Sequence, residues 1–266
     1  MGTKESFFYQ TDPSLLILIL FMGMITLMKL GSYIGQRINL NKDDTENPGN
    51  ATVLAAVFGL FAFLLGFTFS MSGGRYEARR QSTIQEANAI GTAVLRADLY
   101  APEERVAFRK DFKAYTTARI EYFTSGRDRM AMARAAANAQ VYGKMLWQRA
   151  SEDARKAGTV FPANLMIPSL NDMLDAGNTN DYAEKLRVPD PIVILLFALC
   201  LVCSFFVGYH SSRKGRFDWV IATGFCLLSA LVIFIILDLD RPRSGFIRLN
   251  TSHQAMTDLI QQFDNP

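Results

Sequence analysis

Charged residues are missing from four long segments of this 266-residue chain. No Asp, Glu, Lys or Arg occurs in 13–28, 47–74, 191–212 or 219–237, runs of 16, 28, 22 and 19 residues. The chain average of 20% charged residues hides this division, because every charge lies outside the runs. About 20 consecutive apolar residues cross the hydrocarbon core of a bilayer. The four runs therefore exclude an ordinary soluble domain and a disordered chain, and they predict four transmembrane helices.

Cysteine and histidine are scarce as well. The three cysteines, Cys200, Cys203 and Cys226, all fall inside uncharged runs, which excludes the disulfide framework of a secreted domain. The two histidines, His210 and His253, have no cysteine or carboxylate companion at the spacing of a zinc or haem site. We therefore expect no metal and no cofactor.

The sequence motifs of enzymes are also missing. There is no P-loop, no dinucleotide-binding fingerprint and no Gly-x-Ser-x-Gly. The four runs contain none of the acidic or basic side chains that couple transport to protons or ions. The segment 75–190 holds 18 basic and 15 acidic residues, too balanced for a nucleic-acid surface. An enzyme, a proton-coupled carrier and a nucleic-acid-binding protein are all disfavoured.

The order of apolar and charged segments predicts an all-α, polytopic membrane protein with a helical cytoplasmic insert between its second and third spans. The predicted parts are a first hairpin over 1–74 with spans at about 14–33 and 51–72, the helical domain 75–190, a second hairpin over 191–238 with spans at about 191–210 and 219–237, and a C-terminal turn and short helix over 239–266. Basic residues near the span ends place both termini and 75–190 in the cytoplasm. A cleaved signal peptide is the alternative for the first run, but no small-x-small site follows it.

Helical periodicity continues through the insert. Apolar residues at helical spacing predict three apolar stripes, namely Ile84, Ala87, Gly91, Val94 and Leu95, then Val106, Phe108, Phe112, Tyr115 and Tyr122, then Val141, Met145 and Leu146. Pro102 followed by two glutamates is typical of a helix start. Pro162 and Pro168 predict that 159–187 is a pair of short helices.

The second span has an unusual arrangement of small and aromatic residues. Gly59, Phe63, Phe67 and Ser70 are spaced i, i+4, i+8 and i+11, so they form one stripe. One interpretation is close helix packing, because small residues let membrane helices approach each other. The other is a pore, in which phenylalanines from several copies form a hydrophobic constriction.

Charges resume directly after this span with Arg75, Arg79 and Arg80. Glu77 is placed to pair with Arg80 one turn away. Such a cluster is either an interfacial anchor or, in the pore interpretation, a mouth that concentrates anions.

A short turn follows the fourth span. Its predicted structural residues are Asp238, Asp240, Arg241, Pro242 and Gly245. Proline and glycine favour a turn at the membrane surface, and the aspartates are expected to pair with nearby arginines. Calcium needs six to eight oxygen ligands, so a salt-bridged turn is favoured over a calcium site.

Three of these stretches together resemble the bestrophin family of ion channels, and more closely its bacterial bestrophin-like relatives. They are GLFAFLLGF (Gly59–Phe67), RYEARR (Arg75–Arg80) and the Pro-x-x-Gly turn at Pro242–Gly245. With four spans and a helical insert after the second, the resemblance covers nearly the whole chain.

The resemblance implies a homopentamer in a bacterial inner membrane, with the second spans around a central pore. The hydrophobic neck would fall on Phe63 and Phe67, and Gly59 would replace the bulky aliphatic residue usual at the outermost position. The acidic calcium clasp of animal bestrophins has no counterpart beyond Asp238 and Asp240. Family members differ in whether they pass anions or cations.

The leading hypothesis is a passive oligomeric channel for small inorganic ions in contact with membrane lipid. Its arginine cluster slightly favours anions such as chloride over cations. The alternative is a membrane-anchored interaction or signalling protein whose helical insert docks a cytoplasmic partner, because the insert helices are amphipathic.

Overall fold

The computed structural model describes residues 11–39, 48–126, 128–211, 219–241, 245–246 and 250–264. Within these ranges every regular element is helical, which confirms the predicted all-α class. The helices are α1 (Pro13–Asn39), α2 (Pro48–Ala97), α3 (Pro102–Thr124), α4 (Arg129–Asp153), α5 (Val160–Lys185), α6 (Asp190–Ser211), α7 (Trp219–Leu239) and α8 (Asn250–Asp264).

The chain divides into two compact units. The span unit comprises Met1–Gly74 and Arg187–Arg241, and the insert unit comprises Arg75–Leu186 and Pro242–Pro266. The division at Gly74 falls inside the continuous helix α2. The C-terminal helix α8 thus belongs to the same unit as the insert.

The span unit contains the apolar helices. Four helices of the described residues are long and apolar enough to cross a membrane, as the uncharged runs predict. Their shared core is built from buried side chains such as Leu20 and Met24 of α1, Phe61 of α2 and Leu196 of α6. An apolar core of this kind packs by van der Waals contact, since lipid supplies no hydrophobic driving force between helices.

Helices α1 and α6 approach each other at two glycines. A Cβ atom built on Gly208 would lie 2.8 Å from the carbonyl carbon of Met28. One built on Gly31 would lie 3.0 Å from the amide nitrogen of Tyr209. Backbone therefore meets backbone here, and both positions need a residue without a side chain.

The insert unit has a core of its own. Phe108 and Phe112 of α3, Leu146 of α4 and Leu170 of α5 are fully buried in it. The Asp128 carboxylate caps α4 by accepting hydrogen bonds from the amides of Met130 (2.9 Å) and Ala131 (3.0 Å). Helix α8 adds Met256, which is buried against a second cluster of the same unit.

The predicted pair of short helices over 159–187 is wrong, because α5 is one helix. Pro162 lies in its first turn, where a missing amide costs no hydrogen bond. Pro168 lies inside the helix, and the hydroxyl of Ser169 and the guanidinium of Arg96 both donate to the nearby Leu165 carbonyl. Burial of Met166 and Leu170 beside the proline holds the helix together.

Burial follows the predicted stripes only in part. Phe108, Phe112, Tyr115 and Tyr122 are buried, whereas Val106 and Leu95 are exposed. On α4, Val141 and Met145 are exposed, and the buried row consists mainly of small residues. These are Ala135, Ala139, Gly143, Leu146 and Ala150. Alanine and glycine allow closer helix contact than large apolar side chains do.

Candidate functional site

Helix α2 buries one face inside the span unit. Phe61, Thr68 and Ser72 are at most 4% exposed. The ring of Phe225 on α7 packs edge-on against Phe58 and Phe61, with centroid distances of 5.8 and 6.2 Å. These aromatic contacts fix which way the helix is turned about its axis.

The predicted stripe lies on an exposed face of the same helix. Phe63 and Phe67 are 66% and 57% exposed, and Gly59 and Ser70 are exposed with them. The two phenylalanine rings stack with their centroids 6.4 Å apart and their planes at 16°. The structure therefore brings the four residues together on one surface, and their contact with ions stays a prediction.

The glycines of this stretch are not needed for packing within the chain. A Cβ atom on Gly59 or Gly66 would meet no atom within 4 Å. In the described part of the span unit, helices approach backbone to backbone at Gly31 and Gly208 instead. Any packing role for Gly59 would require a surface outside this chain.

The three predicted mouth arginines have different environments. Arg80 is exposed and pairs with Glu77 at 3.2 Å, as predicted from their spacing. Arg79 is 1% exposed, and its guanidinium donates to the carbonyl oxygens of Ala183 (3.2 Å) and Leu186 (2.8 Å). Arg75 is half-buried.

The contacts of Arg79 indicate a structural role in the insert unit. Its carbonyl partners lie at and just beyond the C-terminal end of α5, where the helix dipole is negative and carbonyl groups lack helical partners. Arg79 therefore closes α5 and does not present its charge to solvent. The mouth role stays a prediction for Arg75, Arg79 and Arg80.

A buried charge network lies in the insert unit. Arg119 donates to both carboxylate oxygens of Glu86, at 2.9 Å between Nη2 and Oε2, and the two side chains are 4% and 0% exposed. Arg119 also donates to Asp181 at 2.9 Å, and Asn180 donates to Glu86 at 2.8 Å. Burial opposes the charged form of Arg119, but the Glu86 carboxylate outweighs it, so the pKa of the guanidinium is raised above its usual range.

This charge network was missed in the sequence. A signal was present, because Arg79, Ser82, Thr83 and Glu86 are spaced i, i+3, i+4 and i+7 and therefore share a face of α2. Asn180 accepts hydrogen bonds from Ser82 (3.0 Å) and Thr83 (3.4 Å), so this polar stripe points inward. The distant partners, Arg119 and Asn180, have no comparable pattern.

The turn residues bond to the backbone of the span unit. Asp238, Asp240 and Arg241 are buried. Asp240 accepts from the amide of Val188 at 2.6 Å, and Arg241 donates to the carbonyl of Thr11 at 2.7 Å.

Two further turn predictions remain. Pro242 lies outside the described residues, and Gly245 is described and buried. Pairing of the aspartates with arginines stays a prediction. Across the described part of the chain, no group of three or more His, Cys, Asp or Glu side chains is arranged to hold a metal ion.

Fold and site together define a helical membrane protein with four candidate spans and an exposed glycine–phenylalanine face on the second. The model of the Bestrophin-like domain matches residues 18–254. The chain therefore belongs to the bestrophin-like family.

Solved structures with similar folds include several of a bacterial bestrophin homologue from Klebsiella pneumoniae. One variant matches with a TM-score of 0.66 at 15% identity, covering 94% of this chain and 98% of its own. A second variant gives 0.67 at 14%, with coverage of 95% and 99%. A zinc-phased structure gives 0.64 at 15%, with coverage of 92% and 97%. No curated protein matches the chain.

Proposed function

We propose that this protein is the subunit of a passive, oligomeric ion channel in which copies of α2 surround a central pore. The observation that carries the proposal is the exposed face with Gly59, Phe63, Phe67 and Ser70. The Klebsiella relatives with this fold are named bestrophin homologues, which fits the same function.

The order of residues along this face suits an ion pathway. Phe63 and Phe67 are successive turns of α2, and repeated around an axis their rings would form a hydrophobic constriction that gates by dewetting. Gly59 and Ser70, which flank the rings, leave more room on both sides. A face that only contacted lipid would gain nothing from small residues at these positions.

Basic residues predominate just beyond the constriction. Arg75, Arg79 and Arg80 stand against the single carboxylate of Glu77, which pairs with Arg80, so the group carries a net positive charge. We propose weak selectivity, with anions such as chloride slightly favoured. We also propose a homopentamer in a bacterial inner membrane, with both termini and 75–190 cytoplasmic, on the basis of the family and of the basic residues near the span ends.

The test is ion flux through purified protein in liposomes, with the reversal potential measured across a potassium chloride gradient. Phe63→Ala combined with Phe67→Ala should raise flux roughly tenfold, the effect of lowering the neck barrier by about 1.4 kcal/mol. The matched control is Phe69→Ala, which removes a 43% exposed ring from a different face of α2 and should leave flux unchanged.

Absence of flux in a correctly inserted oligomer, over a range of salts, would contradict the proposal. Equal changes in flux for Phe69→Ala and for the double substitution would show that Phe63 and Phe67 do not form the neck and that the pore lies elsewhere. Copurification of a stoichiometric partner with a monomer or dimer would support the interaction protein instead.

A further inference from the structure

Two cations lie over exposed aromatic rings at one end of the span unit. The ammonium of Lys29 is 5.9 Å from the centroid of the Trp219 ring, which begins α7. The guanidinium of Arg37 is 4.6 Å from the centroid of Tyr33. Trp219 and Tyr33 are 47% and 51% exposed, and Lys29 and Arg37 are exposed as well. Both pairs therefore face outward from this unit.

The two pairs share one side of α1. Lys29, Tyr33 and Arg37 are spaced i, i+4 and i+8, and Lys29 and Arg37 are about 12 Å apart along the helix axis. The Arg37 guanidinium reaches back over the ring of Tyr33, which lies between the two cations on this side of α1. The two positive charges therefore lie on one side of α1, about two turns apart, and the Trp219 ring lies at the inner one.

No described carboxylate balances these charges. In the described part of the span unit the carboxylates are Asp12, Asp190, Asp238 and Asp240. Asp12 and Asp190 precede or begin α1 and α6, and the other two end α7, so all four lie at the opposite ends of these helices from Lys29 and Trp219. A second copy of the chain in a symmetric oligomer has the same distribution of carboxylates along these helices.

The connections that leave this end add no net charge in sequence. In sequence, 40–47 and 212–218 contribute four basic and four acidic residues, so together with Lys29 and Arg37 the end is net positive. Next to Lys29, toward the middle of the apolar run, the same side of α1 exposes Leu18 and Met22, at 57% each. Cations above an exposed apolar surface, with aromatic rings at the junction, are the arrangement that an anionic lipid fits.

We propose that Lys29, Tyr33, Arg37 and Trp219 form a binding site for the headgroup of an anionic phospholipid. The Arg37 guanidinium donates two parallel hydrogen bonds to the phosphate, and the Lys29 ammonium, about two turns nearer the apolar run, attracts the same negative headgroup. The indole and phenol rings contact the glycerol region, and the acyl chains cover Leu18 and Met22. This site does not depend on the proposed pore, because its residues belong to α1 and α7 and to neither α2 nor the insert unit.

The first test uses the tryptophan of the site as a reporter. The chain has two tryptophans, so Trp147→Phe leaves Trp219 alone. In detergent, brominated phosphatidylglycerol should quench the fluorescence of this protein at roughly 30-fold lower concentration than brominated phosphatidylcholine. Each of two basic groups near an anionic lipid contributes about fivefold. Equal quenching by the two lipids would overturn the site.

Variants then identify the cations. Lys29→Gln with Arg37→Gln should abolish the preference, whereas Lys110→Gln with Lys113→Gln, the same charge change in the insert unit, should preserve it. A preference that survives Lys29→Gln with Arg37→Gln would assign it to other basic residues and overturn the proposal. An unchanged melting curve in phosphatidylcholine establishes that the variants are folded. If they do not fold, the comparison of the two brominated lipids on the protein that carries only Trp147→Phe decides whether the site prefers the anionic lipid.

Two further outcomes are distinguishable. Competition by soluble glycerol phosphate at the same concentration as the lipid would show a site for a free phosphate anion and not for a lipid. No quenching of Trp219 by either lipid in the intact oligomer would show that another copy covers this surface. Either result overturns the lipid site and leaves the channel proposal untouched, since flux is measured separately.

Discussion

Single arginines in this protein have sharply different environments. Arg80 is exposed and makes an ion pair one turn away, while Arg79 and Arg119 are buried and make several hydrogen bonds each. A guanidinium suits the buried positions, because its planar donors reach a carboxylate and carbonyl groups at once. The charges that matter for the fold of the insert unit are thus the ones that solvent does not reach.

Removing Arg119 should therefore destabilise the protein far more than removing Arg80. Arg119→Ala leaves Glu86 buried without its countercharge, which costs about 3–5 kcal/mol, whereas loss of the exposed Arg80 pair costs about 0.5 kcal/mol. The measurement is the denaturant midpoint of the insert unit in detergent. Adding Glu86→Ala to Arg119→Ala should recover part of the loss, and similar midpoints for Arg119→Ala and Arg80→Ala would contradict the prediction.

At the level of helices, the spans were predictable and the insert less so. The expected spans at 191–210 and 219–237 fall on α6 and α7. An uncharged run of this length has few stable structures other than a membrane-spanning helix. The intact α5 was not predictable, since packing of Met166 and Leu170 against other helices offsets the effect of Pro168. The Glu86–Arg119 pair was equally out of reach, because its members are 33 residues apart.

The candidate stripe was predictable as a set of residues but not as a function. Helical spacing alone places Gly59, Phe63, Phe67 and Ser70 on one face. Which face of α2 is buried depends on Phe225, and that contact joins residues more than 160 positions apart. Sequence reasoning could therefore align the four residues without establishing that they are exposed.

The contact between α1 and α6 yields a prediction about single methyl groups. Gly208→Ala would place a Cβ atom against the Met28 carbonyl, and the helices can relieve this only by separating. We expect a loss of about 1–3 kcal/mol or more from overpacking. Gly224→Ala on α7 is the matched control, because its Cβ atom would meet nothing within 4 Å, and alanine favours a helix by about 1 kcal/mol.

Melting temperatures of the two variants in the same detergent provide the measurement. Gly208→Ala should melt below the parent protein and Gly224→Ala at or above it. Equal melting temperatures would show that the close approach of α1 and α6 contributes little to stability.

The whole chain exposes more apolar surface than a monomer outside a membrane would tolerate. In the insert unit Leu95, Val106, Met130 and Phe161 are each at least 66% exposed. Scattered exposed apolar residues are ordinary, but this number on one helical unit favours contact with further copies. The surface therefore agrees with the proposed oligomer.

The corresponding measurement is the mass of the detergent-solubilised particle by light scattering, corrected for bound detergent. We expect a protein mass of about five times 29.8 kDa. A stable particle of one subunit at micromolar concentration, with full helicity, would contradict a pore formed by several copies of α2.

The glycine contact between α1 and α6 also determines when the membrane core can form during translation. Gly31 leaves the ribosome about 180 residues before Gly208, which at roughly 5–20 residues per second is an interval of roughly 10–35 s. During that time α1 is made but the backbone surface that fits it does not exist. The insert unit between them can fold in the interval, except for α8, which is made last. Completion of the membrane core is thus a late event of translation, and the first hairpin must be held unassembled by lipid or by the insertion machinery until then.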